Sequence, residues 1–143
     1  MSGWLCNLFI YVTIPYMAHL FKVVTKAAIF NKDKSKVLVI HMDYHDDWGL
    51  PGGHIEENED MDDAIRRELF EECGVEPESL KKVDFFYHSN GKIVLAYIGT
   101  LKNDDIASKQ DNLEGKPKWL SREEFENSTI EPNYRKLVLD NWS

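Results

Sequence analysis

Gly53-His-Ile-Glu-Glu-Asn-Glu59, then Asp60-Met-Asp-Asp-Ala-Ile-Arg66, then Arg67-Glu68-Leu69-Phe70-Glu71-Glu72-Cys73-Gly74-Val75 is the stretch that decides how this chain is read. Its spacing predicts a helix from about Glu59 to Cys73. Gly74 ends it, because glycine accepts the left-handed conformation of a helix C-cap at little steric cost. At roughly 100° per residue, Glu68, Glu71 and Glu72 project within about 100° of one another. Like charges three and four apart repel by a few tenths of a kcal/mol each, and acids in the last turn oppose the negative end of the helix dipole. A helix selected only to fold would carry Lys there, and the run offers no counter-charge in reach of its last turn. A hard divalent cation taking carboxylate oxygens would turn this repulsion into attraction.

An acidic helix face often does no more than meet water. Three neighbouring features weigh against that here. Met61, Ala64 and Ile65 are apolar in the early turns, so the helix is expected to dock by its first half and present acids with its second. Leu50-Pro51-Gly52-Gly53 comes just before, and paired glycines let a backbone turn sharply and approach a ligand or metal closely, so that a main-chain carbonyl joins the carboxylates. Arg67 lies among the acids, spaced either to clamp the loop through Glu59 or to pair with Glu71 four residues on.

Gly, five residues, Glu, seven residues, then Arg-Glu-aliphatic-any-Glu-Glu-any-Gly-aliphatic is similar to the Nudix box, with every specified position of Gly53 to Val75 filled. That resemblance implies an α+β Nudix fold, an α/β/α sandwich with a mixed central β-sheet, over residues 21–143, preceded by an N-terminal extension at 1–20. It implies a hydrolase dependent on Mg2+ or Mn2+, with water attacking phosphorus in a diphosphate linked to another group, commonly a nucleoside. Carried onto this chain, it makes Glu68, Glu71 and Glu72 the metal carboxylates, the Gly52 carbonyl a further ligand, and Glu59 with Arg67 the structural pair. The general base is either Glu68 or an acid of a later loop, for which Glu114 is the candidate, with Asp111 behind it.

The rest of the chain is compatible with one domain. At 143 residues it is long enough for a sizeable core and too short for a second domain of similar size. A net charge of −8 argues against nucleic acid as a partner, which needs basic patches. Cys6 and Cys73 lie far apart and no Cys/His cluster has zinc spacing, so reduced thiols and a cytoplasmic location are expected. Trp4 to Phe21 carries no charged residue, yet Asn7, Thr13, Pro15 and His19, with no basic residue ahead of the run, speak against a membrane span or a signal peptide. Met17 as an alternative start, or Leu8 to Ile14 as an added element, are the other readings of that segment. Oligomeric state stays open, with a homodimer among the options.

Lys22 to Phe30 and Lys36 to Met42 read as strands of a hairpin turned at Asn31 to Lys34, and Lys82 to His88 with Lys92 to Leu101 as a second hairpin around Ser89-Asn90-Gly91. Asp43 to Gly53 reads as a loop and Asn103 to Lys116 as a polar one. Lys118 to Leu120 reads as a short strand, Ser121 to Glu124 as a capping box, and Pro132 to Trp142 as a terminal helix. For substrate contacts the candidates are Trp48, Gly53 and Glu114, with Trp48 either stacking on a base or packing under its loop. Phe85, Phe86, Tyr87, Tyr97 and Trp119 are expected in the core, and His41, His45, His54 and His88 on polar surface. Markers of ADP-ribose, coenzyme A, NADH and diadenosine polyphosphate subclasses are not evident. The expected partner is a small diphosphate, with a nucleoside triphosphate pyrophosphohydrolase first and a nucleoside-diphosphate-sugar or other diphosphate-linked hydrolase second. A catalytically silent nucleotide-binding module is the non-enzyme alternative.

Overall fold

A computed structural model describes residues 21–44, 46–106 and 115–143. The readings placed on residues 1–20, His45, Asp111 and Glu114 lie outside these. The elements run β1 (Lys22–Phe30), β2 (Lys36–Met42), β3 (Asp47–Gly49), α1 (Met61–Cys73), β4 (Ser79–Tyr87), β5 (Lys92–Thr100), β6 (Lys116–Ser121), α2 (Arg122–Glu126) and α3 (Pro132–Asn141). No helix among the described residues is long and apolar enough to cross a membrane.

The expected first hairpin forms, but only at its closed end. Ile29 pairs with Leu38 and Phe30 with Val37, and there the antiparallel ladder of β1 and β2 stops. The turn is held by Asn31, which is buried: its amide donates to Ser35 Oγ at 3.1 Å and its side-chain oxygen accepts from Lys36 N at 2.9 Å. Beyond the turn the two strands separate. β1 runs parallel to β5 over its whole length, while β2 takes β6 along one edge and β3 along the far part of the other. The sheet is therefore mixed, ordered β3-β2-β1-β5-β4, with β6 on the outer side of β2.

Both faces of this sheet are covered. Ala27, Ile29, Leu38, Ile40 and Tyr97 meet Ile65, Leu69 and Cys73 of α1 on one side. Val24, Ala28, Phe30, Val37 and Val39 meet Phe125 of α2 and Tyr134, Leu137 and Val138 of α3 on the other. Alternation along the strands sends odd and even residues of β1 to opposite layers. The result is the α/β/α sandwich.

The helix boundaries follow from local chemistry. Asp60 caps α1 by accepting from the backbone of Asp62 and Asp63, and Gly74 closes it at φ 67°, its N–H returning to the carbonyls of Leu69 and Phe70. The expected start at Glu59 is thus two residues early, since Glu59 serves a different partner described below. The helix also docks along its full length: Ala64, Ile65, Leu69 and Cys73 are buried, whereas Met61 is 41% exposed, so docking by the first half alone is corrected. At its start, Tyr97 Oη on β5 donates to Asp62 Oδ1 at 2.7 Å. Ser121 and Glu124 form the capping box of α2. Glu131 caps α3 with Pro132 in its first turn.

Two further differences have a physical reason. β3 was missed inside the expected loop because Asp47-Trp48-Gly49 is too short to show alternation, and its pairing with β2 defines it. Phe85 and Tyr87, expected in the core, are 72% and 60% exposed, because β4 is an edge strand reaching past the cover of α1. Phe86, on the opposite face, packs edge-on against Tyr134 at 5.9 Å between ring centres. Tyr97 is buried as expected, and Trp119 is half-buried with its ring N–H donating to Asp104 O at 2.9 Å.

Leu69 sits fully buried where α1 meets the sheet. Leu69→Ala is expected to cost about 2–5 kcal/mol of unfolding free energy, measured by urea denaturation with the wild type in parallel.

Candidate active site

The separation of β1 from β2 leaves backbone groups on β1 without a strand partner, and the Pro51–Gly53 loop takes them. Ala27 N donates to Pro51 O at 3.0 Å and Thr25 N to Gly53 O at 2.8 Å, with Thr25 Oγ1 adding a second donor to Gly53 O at 3.2 Å. The loop lies so close to β1 that a Cβ on Gly52, at φ +132°, would stand 2.2 Å from Thr25 O. Only glycine fits there. Gly53 is constrained from the other side, since a Cβ on it would come within 2.6 Å of the Glu68 carboxylate.

Glu72 approaches the same loop. Its Oε1 accepts from Gly52 N at 3.3 Å, and the Glu68 carboxyl acts on it as a neighbouring like charge. Burial is the main force on Glu72 and raises its pKa, pushing it up to about 8; the Lys26 charge opposes that rise, and the Glu68 carboxyl adds to it. A counter-charge is therefore present after all: Lys26 on β1 donates from Nζ to Gly52 O at 2.7 Å. The sequence hid it because 46 residues separate Lys26 from Glu72.

Arg67 organises the remaining acids. Nε and Nη2 grip the two oxygens of Glu59 at 2.7 and 3.0 Å, while Nη1 donates to Glu68 Oε1 at 2.9 Å and Glu71 Oε2 at 3.2 Å. Nη2 also donates to His54 O at 3.0 Å, so the guanidinium ties the loop to the helix. The two partners expected for Arg67, Glu59 and Glu71, are held together. Hydrogen bonding from Arg67, helped by the Glu56 backbone N–H, holds Glu59 down at about 2. The neighbouring Cys73 thiol is driven upward by burial and is inert as a nucleophile.

Of the expected site residues, Glu68 and Glu72 converge with Gly52 and Gly53, and Glu59 and Arg67 form their pair. Glu71 is turned onto Arg67. Among the described residues no group of three Asp, Glu, His or Cys side chains is arranged to hold a metal ion. The oxygen donors gathered around this loop are two carboxylates, one of them on the Gly52 amide, and the Gly52 carbonyl, which Lys26 Nζ holds. All are hard oxygens, and the strained ionisation of Glu72 is relieved by added positive charge, so this donor set fits a hard divalent cation.

Trp48 is half-buried against the α3-side core. One side of its ring meets His41, 4.3 Å between ring centres, and the Lys118 ammonium stands 5.6 Å from its centre. Packing and exposure thus both apply to it. With His88, Asn90, Thr129 and Tyr134 it lines an open cleft of about 810 Å³. This cleft is the feature that sequence reasoning missed, because its walls come from β3, the β4–β5 turn and the start of α3. His41 is not loose polar surface: Nε2 bonds Asp46 Oδ1 at 2.8 Å and Nδ1 lies 3.4 Å from Asp43.

Comparison with known proteins places this geometry in a family. The NUDIX domain family description fits residues 20–140, and the chain belongs to that family. It is similar to Nudix hydrolase 19, chloroplastic, of Arabidopsis thaliana, at 31% identity over 100 residues, covering 62% of this chain and 22% of that protein. It is also similar to the RNA pyrophosphohydrolase of Bartonella henselae, at 45% identity over 56 residues, covering 36% of this chain and 32% of the relative. The chain thus spans a third or less of the length of these curated relatives. Among solved structures it resembles the NUDIX domain of Shewanella oneidensis NrtR complexed with ADP ribose, with a TM-score of 0.75 at 20% identity, covering 90% of this chain and 92% of that one.

Because the folded pKa of Glu72 is raised, the native protein holds that proton longer than the unfolded chain. Its contribution to metal-free stability is full below the ordinary carboxylate pKa and is lost as pH rises toward about 8. Denaturation in EDTA is expected to show the wild type weaker at pH 8.5 than at pH 6. Glu72→Gln should flatten that slope and match or exceed wild-type stability at the higher pH.

Proposed function

We propose that the chain is a divalent-metal-dependent hydrolase of a diphosphate linkage, with water attacking phosphorus. The observation that carries this reading is the half-buried approach of Glu72, with Glu68 beside it, to the Gly52 backbone, a costly arrangement that added positive charge would stabilise. Glu68, Glu72 and the Gly52 carbonyl would hold Mg2+ or Mn2+, with Glu71 joining from Arg67. When bound there, the cation supplies Lewis-acid charge for phosphate oxygens and acidity for the attacking water.

The chain's own residues do the rest. Arg67, gripped by Glu59, fixes the azimuth of Glu68 and Glu71 and ties them to the loop at His54 O. Gly53 leaves room for the Glu68 carboxylate, and Gly52 lets the loop press onto β1. Glu68, or Glu114 of the later loop, would take the proton of the attacking water. The group beyond the diphosphate would lie in the Trp48–Tyr134 cleft, whose aromatic walls suit a nucleobase. Trp48 precedes Gly52 by four residues, so the Cα atoms of the two are no more than about 14 Å apart. This supports a nucleotide substrate, with nucleoside triphosphates first and nucleoside-diphosphate-linked compounds second.

Nucleoside triphosphates, ADP-ribose, nucleotide sugars and 5′-triphosphorylated RNA should be incubated with Mg2+ or Mn2+, resolving nucleotide, orthophosphate and pyrophosphate. Release of nucleoside monophosphate with pyrophosphate is the expected pattern. Turnover of none of them, with no metal binding by calorimetry, would leave a silent nucleotide-binding module. Glu68→Gln and Glu72→Gln are each expected to lower kcat at least about a hundredfold. Gly53→Ala, which displaces the Glu68 carboxylate, should lose activity comparably while remaining folded by circular dichroism.

A further inference from the structure

Lys26 occupies the centre of β1, the strand onto which the Gly52–Gly53 loop is bonded. Its Nζ donates to Gly52 O at 2.7 Å, and the N–H of that same residue donates to Glu72 Oε1 at 3.3 Å. Gly52 therefore touches an ammonium through its carbonyl and a carboxylate through its amide. The helix that carries the acids has no basic residue in its last turn, so this positive charge comes from the sheet and not from α1. Lysine suits the task, being a compact charge on a flexible stem that moves without disturbing the strand.

We propose that Lys26 is the resident counter-cation of this site, an ammonium that competes with the divalent ion for the Gly52 carbonyl and for the field of Glu72. This rests on assigning Gly52 and Glu72 to the divalent cation. Without metal, Lys26 neutralises part of the carboxylate charge and keeps the loop on β1. For an ion to load, the ammonium must give up the Gly52 carbonyl and tolerate a like charge nearby, which lowers metal affinity. Lys26 thus sets the free metal concentration at which the site fills.

The test is calorimetric titration of Mn2+ into the substrate-free wild type, Lys26→Met and Lys26→Arg, with folding checked by thermal melts. Lys26→Met removes the charge and keeps the stem, and its Kd is expected to fall roughly three- to tenfold. Lys26→Arg retains the charge and should stay within about twofold of wild type. Manganese bound by the wild type with an unchanged or higher Kd in Lys26→Met overturns the proposal and leaves the hydrolase reading standing. Binding by neither protein overturns both, whereas binding only by Lys26→Met supports the competition in its strongest form.

Discussion

The site depends on a backbone constraint: β1 leaves β2 after two paired residues, and its freed amide groups must find partners. Pro51 and Gly53 supply the carbonyls. That exchange turns a loop into part of the sheet edge, so the rigidity of the core reaches the glycines and, through Gly52 N, the end of α1. A loop merely lying on the surface would leave the carboxylates facing a mobile wall. Here the wall is strand-like in its hydrogen bonding, while Gly52 takes a positive φ of 132° that L side chains rarely adopt.

The second organising element is a single guanidinium. α1 carries acids in its first turn and no base in its last, so the balancing charge sits in its middle. Arg67 gathers Glu59, Glu68 and Glu71, and its planar fork holds them at fixed directions in a way that a lysine could not. Glu72 alone escapes that clamp and is served from β1 by Lys26 instead. The helix thus serves three of the four acids through Arg67, the sheet brings Lys26 near the fourth, and Glu68 acts on both sides.

Much of this was legible because it is local. The Gly74 stop, the Ser121 capping box and the two strand pairs announce themselves through residues a few positions apart, and the Gly53 to Val75 spacing carried the family resemblance, which in turn implied the Arg67–Glu59 pair. What was illegible is long-range. Lys26 facing Gly52, Trp48 facing Tyr134 across a cleft, and the exposure of Phe85 and Tyr87 depend on which strands become neighbours and where the sheet ends. Hydrophobic pattern alone placed those two aromatic residues in the core. An edge strand keeps the pattern while losing its cover, and only topology distinguishes the cases.

The hydrogen bond from Tyr97 to Asp62 at the start of α1 indexes the helix in rotation. Burial of Leu69 and Cys73 fixes how near the helix lies to the sheet, yet a smooth apolar stripe tolerates some turning about the axis. A polar contact at one end, with the Gly74 cap at the other, removes that freedom. At about 6 Å from the axis, a turn of 10° sweeps a carboxylate roughly 1 Å, a misplacement able to cost two orders of magnitude in rate. A tyrosine on β5 thereby fixes the start of the helix whose later turns carry Glu68 and Glu72.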